Sequence, residues 1–192
     1  MLEEEYAPRR QLPPHLRPSP APEPEFGFEL RAAVAADLPH VREIYNYYVA
    51  NSTVTFDEKP LTLASMRHKL ARADKGGYPF IVAESRSGEM LGFAYVLPWK
   101  DKSAYRFTVE NSIYLGPAAT GKGVGKALMA ELLVQAKAAG VKEVVAVIAD
   151  RGADASIGLH ERFGFKETGR MGRVGYKFDR WLGTVLMQKS LK

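Results

Sequence analysis

The sequence predicts an α/β fold built on a mixed, mostly antiparallel central sheet flanked by helices. Three observations carry that expectation. Thr108 to Leu115 alternates as a strand, a glycine-rich turn follows it, and Val124 to Ala139 has the apolar spacing of a long amphipathic helix. Behind the helix, Glu143 to Ala149 is a nearly unbroken run of valine, isoleucine and alanine, the composition of a strand covered on both faces. Upstream, the turn Arg86-Ser87-Gly88-Glu89 separates two apolar runs and so predicts an antiparallel hairpin.

Taken in chain order, Phe28-Glu29-Leu30-Arg31 alternates as a first strand. Asp37 is placed to cap a helix running to about Ala50, with Leu38, Val41, Ile44, Tyr45 and Tyr48 at helical spacing. A second helix is expected from Thr62 to Asp74. Pro79 to Glu84 and Leu91 to Leu97 are the two arms of the hairpin. Gly140 stops the long helix. Ser156 to Phe163 makes a short helix ending at Gly164, Phe165 onward returns as a strand, and Gly183 to Gln188 closes the chain in extended form. The expected order is β-α-α-β-β-β-α-β-α-β-β, in one domain over residues 28–192 with no internal repeat.

Composition narrows the function classes. A chain of 192 residues that is 46% hydrophobic is long enough for one well-cored domain. Its net charge of +5 is spread along the sequence, with no basic run to track a nucleic-acid backbone, and suits an anionic small molecule equally well. The chain has 0 cysteines, which excludes disulfides, thiolate metal sites and a cysteine nucleophile; no metal is expected, and the cytoplasm is the simplest location. No window approaches the ~20 apolar residues of a membrane span, and the glutamates Glu3, Glu4 and Glu5 are unlike a secretory signal. Residues 1–27 hold Pro8, Pro13, Pro14, Pro18, Pro20, Pro22 and Pro24, and are expected to form a flexible leader. Such a leader is either dispensable, a ligand for a proline-recognising module, or a cover for a neighbouring subunit.

The segment Thr120-Gly121-Lys122-Gly123-Val124-Gly125-Lys126-Ala127-Leu128 carries the first chemical signal. Glycines at alternate positions clear side chains from a turn that opens a helix, so backbone N–H groups and the helix dipole can face a phosphate. A nucleoside-triphosphate loop requires Ser or Thr after Gly-Lys to hold magnesium, and Ala127 stands there. A dinucleotide fingerprint requires Gly or Ala at position 128, where the chain has Leu.

What remains resembles the pyrophosphate loop of the GNAT superfamily of N-acetyltransferases, with Thr120 where Gln or Arg commonly opens the loop. Further blocks extend the resemblance over nearly all of residues 28–192: Asn51-Ser52-Thr53-Val54-Thr55-Phe56, Pro98-Trp99-Lys100 with Ser103 to Arg106, Thr108 to Leu115, Leu159-His160-Glu161-Arg162-Phe163-Gly164-Phe165, and Gly175 to Leu182. Together they are similar to the phosphinothricin and methionine sulfoximine N-acetyltransferase branch. The resemblance implies the GNAT fold, acetyl-CoA as cosubstrate, a homodimer, and direct acetylation of the α-amino group of a small amino acid analogue of the phosphinothricin, methionine sulfoximine or methionine sulfone type. The alternatives are another amine, such as an antibiotic, a polyamine or a protein N-terminus, or a non-catalytic acyl-CoA-binding module.

Acetyl transfer to an amine needs a base for the ammonium, polarisation of the thioester and a proton for the thiolate. Glu110, mid-strand on the face of Ser112 and Tyr114, is the candidate base, because a charge among apolar neighbours is costly unless used. The resemblance points to the same glutamate, and to His160 as a proton donor or second base; a buried or exposed structural histidine is the alternative. Tyr114 or Leu115 would lend the polarising backbone N–H. The amides of Lys122, Gly123, Val124, Gly125 and Lys126 would hold the phosphates, and Ser156 would line the cofactor arm. Arg106 is expected to bind an acceptor carboxylate and Phe56 to wall the acceptor, or else both serve as ion pair and core. Trp99, Lys177 and Trp181 fit either the pocket rim or a subunit interface. Two departures from the branch stand out: Ala153 where an asparagine is frequent, and Gly183 where a carboxylate is.

Overall fold

A computed structural model describes residues 26–192; all but the last two residues of the proline-rich segment lie outside that range. Seven strands form one sheet: β1 (Phe28–Ala32), β2 (Phe80–Ser85), β3 (Met90–Pro98), β4 (Thr108–Leu115), β5 (Glu143–Ala149), β6 (Lys166–Lys177) and β7 (Arg180–Ser190). Their spatial order is β1-β2-β3-β4-β5-β7-β6. Every neighbouring pair is antiparallel except β4 and β5, which are joined by a crossover helix. The helices are α1 (Leu38–Asn51), α2 (Leu63–Gly76), α3 (Val124–Ala138) and α4 (Asp154–Arg162). This is the element order the periodicity predicts.

Strand alternation divides the apolar residues between two layers. Ile81, Ala83, Ala94, Val96, Val109 and Val144 face α3, where Val124, Leu128, Leu132 and Ala136 lie one turn apart and are buried. Phe80, Val82, Phe93 and Tyr95 face the other way, onto Leu38, Val41, Ile44 and Met66 of α1 and α2. Each fully buried side chain of this size contributes about 1.5–3 kcal/mol. The β2–β3 part of the sheet is therefore covered on both sides, but β5 departs from the expectation of burial on both faces. Val144, Ala146 and Ile148 are buried under α3, whereas Val145 and Val147 on the other face are only half-buried, Val147 lining the cavities described below.

Three local expectations change. Asp37 does not cap α1: its carboxylate receives a two-pronged ion pair from Arg31 at 2.7 and 2.8 Å and the Val34 N–H at 2.8 Å, which fixes the one-turn 3-10 helix Ala35–Asp37 instead. The Arg31 guanidinium holds that carboxyl below its ordinary range. The first hairpin arm begins at Phe80, one residue past Pro79, which has no N–H to give a ladder. The closing strand is longer than Gly183 to Gln188, because β6 and β7 continue pairing to Lys177↔Arg180 across a two-residue turn. Both turn residues, Phe178 (φ 52°) and Asp179 (φ 55°), are left-handed, the geometry of a type I′ hairpin.

Candidate active site

β4 and β5 pair only at Thr108↔Glu143, Val109↔Val144 and Glu110↔Val145. β4 stays on β3 all the way to Gly92↔Leu115, so beyond Glu110 it diverges from β5. The opening exposes strand edges that have no ladder partner, a surface onto which an extended, amide-bearing ligand can add. Two connected cavities lie there. One of about 90 Å³ is lined by Asn111, Ile113, Ala146, Ser156 and His160; the other, of about 260 Å³, by Tyr45, Phe56, Lys69, Tyr95 and Thr184. Glu110, Ser112 and Tyr114 line both.

Glu110 thus sits where the strands part, on the face of Ser112 and Tyr114 as alternation requires. Its carboxylate has no hydrogen-bond partner among the described residues, and desolvation pushes its pKa above the ordinary 4.5, opposed by the charges of Lys69 and Lys100. A desolvated, unpartnered carboxylate in a cavity is a proton acceptor waiting for a ligand. Tyr114 packs against Phe93 at 5.3 Å and Tyr45 at 5.0 Å between centroids, and desolvation keeps its phenol protonated. Tyr48 donates to the Leu115 carbonyl at 2.7 Å, so the end of β4 is held from the α1 side while its other edge stays open.

The glycine loop reaches α3 at the same end of β4. Gly121 (φ 75°) and Gly123 (φ 82°) are left-handed, which any side chain would resist. Gly125 has a different task. It lies inside α3, where a Cβ would stand 3.3 Å from Leu115 and 3.7 Å from Leu159, so its bare backbone lets the helix approach β4 and α4. The first bond at this end of α3 is Ala127 N–H to the Gly123 carbonyl. The N–H groups of Val124, Gly125 and Lys126 precede it and are free for an anion, next to exposed Lys122 and Lys126. Together with the Asn111 Oδ1, buried in the strand opening without a partner, these groups fit a long ligand with phosphates at one end and amides along its arm.

His160 lines the smaller cavity with both ring nitrogens hydrogen-bonded. Its Nδ1 lies 2.7 Å from the Ser156 carbonyl and its Nε2 2.9 Å from Asn111 Nδ2. A carbonyl only accepts, so Nδ1 carries the proton and Nε2 accepts from the Asn111 amide. At 4% exposure, with the Phe165 ring edge-on at 4.8 Å, the imidazole is desolvated and its pKa falls below the ordinary 6.5. In this arrangement the ring is neutral and both its nitrogens are engaged, so proton transfer through Nε2 requires the Asn111 amide to release it. The unfolded chain binds a proton near pH 6.5 that the folded chain refuses, so this group's contribution is complete above pH 6.5 and declines as pH falls. Glu110, whose pKa is raised, has the opposite sign. The stability gap between wild type and His160→Gln, followed by urea denaturation from pH 7.5 to 5.5, is therefore expected to narrow toward acid; a constant gap would mean that burial does not keep the ring neutral.

Arg106 is not in the site. It ends the 3-10 helix Ser103–Tyr105, donates to the Ser103 carbonyl at 3.3 Å, lies over Phe107 at 4.5 Å, and lines a separate basic cleft with Arg72, Lys75 and Lys100. Arg106 and Phe107 form a turn ahead of β4 rather than part of it, so proximity in sequence did not bring Arg106 into the cavity that Glu110 lines. Phe56 does reach the cavity, its ring against the bare α-carbon of Gly175, where a Cβ would come within 2.5 Å.

Lys177 is neither rim nor interface. It is 2% exposed and donates to the carbonyls of Ser52 and Thr55, each at 2.8 Å, tying the end of β6 to the loop that carries Phe56. Desolvation lowers its pKa. The same loop is held from inside by the Tyr45 hydroxyl, 2.9 Å from Thr55 Oγ1 and 2.6 Å from Asp57. Gly183 donates its N–H to Asp150 at 3.0 Å, and a Cβ there would lie 2.6 Å from the other carboxylate oxygen. Ala153 caps nothing at the start of α4 and is buried in the core. Lys69, Asn111 and Thr184 were not singled out in the sequence; a lysine on a helix and polar residues within strands carry no local signal of a shared cavity.

A parting pair of parallel strands, a free carboxylate at the fork and a phosphate-ready helix start define an acyl-CoA-dependent N-acetyltransferase site. Residues 41–165 match the Acetyltransferase (GNAT) family, and the chain belongs to that family. It is 41% identical over 155 residues to the phosphinothricin N-acetyltransferase of Alcaligenes faecalis, covering 81% of this chain and 78% of the relative. It is also 41% identical over 162 residues to the L-methionine sulfoximine/L-methionine sulfone acetyltransferase of Pseudomonas aeruginosa, covering 84% and 94%. A phosphinothricin acetyltransferase of Sinorhizobium meliloti in complex with AcCoA superposes with a TM-score of 0.81 at 43% identity, over 85% of this chain and 88% of that one. Among the described residues no helix is long and apolar enough to cross a membrane, and no group of acidic, histidine or cysteine side chains is arranged to hold a metal.

Proposed function

We propose that the protein acetylates the α-amino group of a small amino acid of the phosphinothricin, methionine sulfoximine or methionine sulfone kind, using acetyl-CoA. The observation that carries this reading is the unpartnered Glu110 carboxylate lining both cavities at the fork of β4 and β5, on the strand whose far end, at Leu115, meets the start of α3. The named relatives support the acceptor class.

In this reading the N–H groups of Lys122, Gly123, Val124, Gly125 and Lys126 hold the pyrophosphate. The open edge of β4 at Tyr114 and Leu115 receives the pantetheine arm, with Ser156 and Asn111 beside it. Acetyl-CoA supplies the acetyl group and accepts one proton on sulfur as the thiol leaves. Glu110 removes the other proton from the acceptor ammonium, directly or through water, and passes it to solvent. Its raised pKa narrows the gap to the ammonium. His160 serves by fixing Asn111. With 0 cysteines the transfer is direct, within a ternary complex.

We further propose a homodimer joined through the β6–β7 hairpin, which exposes Met171, Val174, Tyr176, Phe178 and Trp181. A cytoplasmic setting, where coenzyme A thioesters are made, suits the reaction. The test is thiol release with L-phosphinothricin, L-methionine sulfoximine and L-methionine sulfone beside a polyamine, an aminoglycoside and a peptide amine. Saturable release with at least one of the first three is expected, and silence on all three would overturn the acceptor class. Light scattering on a sizing column reads the dimer; a monomer at tens of micromolar would refute it.

A further inference from the structure

The larger cavity holds two opposite charges. Glu110 lines one part of it, and Lys69 of α2, half-buried, lines another. The Lys69 ammonium lies 5.9 Å from the centre of the Tyr45 ring and 5.8 Å from that of Tyr95, and both tyrosines line the same cavity. Lys69 has no ion pair and no hydrogen bond to a carboxylate among the described residues. Its field nonetheless reaches Glu110. The other cation that acts on Glu110, Lys100, lies over Trp99 at 4.5 Å and lines the outer basic cleft with Arg106.

A free cation and a free carboxylate in one cavity of about 260 Å³ complement a zwitterion. We propose that Lys69 is the acceptor's carboxylate anchor, the role that sequence proximity suggested for Arg106. The assignment rests on the amino-acid reading above. The acceptor ammonium is drawn to Glu110 and repelled by Lys69, the α-carboxylate is drawn to Lys69 and repelled by Glu110, and the two together set the direction in which the amine faces the fork. Tyr45 and Tyr95 keep the ammonium of Lys69 inside the cavity through their ring faces. Lys69 takes no part in moving protons. It selects acceptors with an acid group next to the amine over amines, amides and esters.

The experiment compares L-methionine sulfone with its carboxamide in wild type, Lys69→Met and Lys69→Arg. Removing the Lys69 charge also raises the Glu110 pKa, but that affects acid and amide alike, so the acid-to-amide ratio of kcat/KM isolates carboxylate recognition. The wild type is expected to favour the acid roughly 10- to 100-fold, the worth of one charge-assisted contact of about 1.4–2.7 kcal/mol. Lys69→Met is expected to erase most of that ratio, chiefly through the KM of the acid, while its rate on the amide shows that the site is intact. Lys69→Arg should keep a preference for the acid. Turnover of the acid with an unchanged ratio in Lys69→Met would overturn the Lys69 assignment alone; no turnover of the acid by the wild type would overturn the acceptor class and this assignment with it.

Discussion

Glu110→Gln is expected to lower kcat by roughly two to four orders of magnitude, the range for loss of a positioned general base, while acetyl-CoA affinity stays within about twofold. The amide keeps the size of the side chain but cannot take the ammonium proton. In the proposed complex the nucleotide end of the ligand meets the start of α3, whereas Glu110 lies at the opposite end of the strand opening. The pH profile distinguishes loss of a base from loss of packing. In the wild type, kcat/KM rises with pH as Glu110 loses its proton, and because desolvation raises its pKa that limb lies above the ordinary 4.5. In the variant the limb disappears and activity follows only the free-amine fraction of the acceptor, so the optimum moves to higher pH. Steady-state rates from pH 5 to 10, with calorimetric titration of coenzyme A, read both effects. Unchanged kinetics at neutral pH would remove Glu110 from the base role.

Lys177→Met should be the most damaging change away from the fork. It removes the ammonium that donates to the part-buried carbonyl of Ser52 and the buried carbonyl of Thr55. Each buried carbonyl left without a partner costs about 1–3 kcal/mol, offset in part because the desolvated ammonium is no longer buried. A net loss of about 2–4 kcal/mol is expected, which lowers the melting temperature by roughly 5–15 °C for a chain of this size. The catalytic signature is selective. Residues 52–57 carry Phe56 into the acceptor cavity, so the acceptor KM should rise while the acetyl-CoA KM holds. Differential scanning calorimetry and initial rates at 20 °C separate the two readouts; a melting shift below 2 °C would show that the two hydrogen bonds do not hold the loop.

The comparison of Glu110 with Arg106 shows where local reading succeeds and where it stops. Glu110 was legible because a charge in the middle of an apolar, alternating strand is anomalous at once, and alternation alone places it beside Ser112 and Tyr114. Arg106 lies four residues earlier and has the right charge, yet it closes a 3-10 turn at the rim of another cleft. Lys69 looked like any solvated helix lysine. It became part of the cavity only because α2 packs over Tyr95 of β3. His160 lies on the helix after β5 and lines the smaller cavity, but its chemistry depends on Asn111 of a different strand and on a carbonyl one helical turn away.

The glycine loop divides in the same way. The need for Gly121 and Gly123 follows from the turn itself, since a left-handed backbone is a property of single residues. Gly125 looks identical in sequence and serves the packing of α3 against Leu115 and Leu159 instead. The order of strands and helices and the phosphate-ready start of α3 were determined by the sequence alone, because periodicity, turn residues and helix ends act over a few neighbouring positions. Which charges share the acceptor cavity, which histidine nitrogen bears the proton and which lysine is buried were decided only by the tertiary structure. Those properties depend on where β4 leaves β5 and on which distant segments close over the gap, and desolvation and pairing at such a place are sums over groups far apart in the chain.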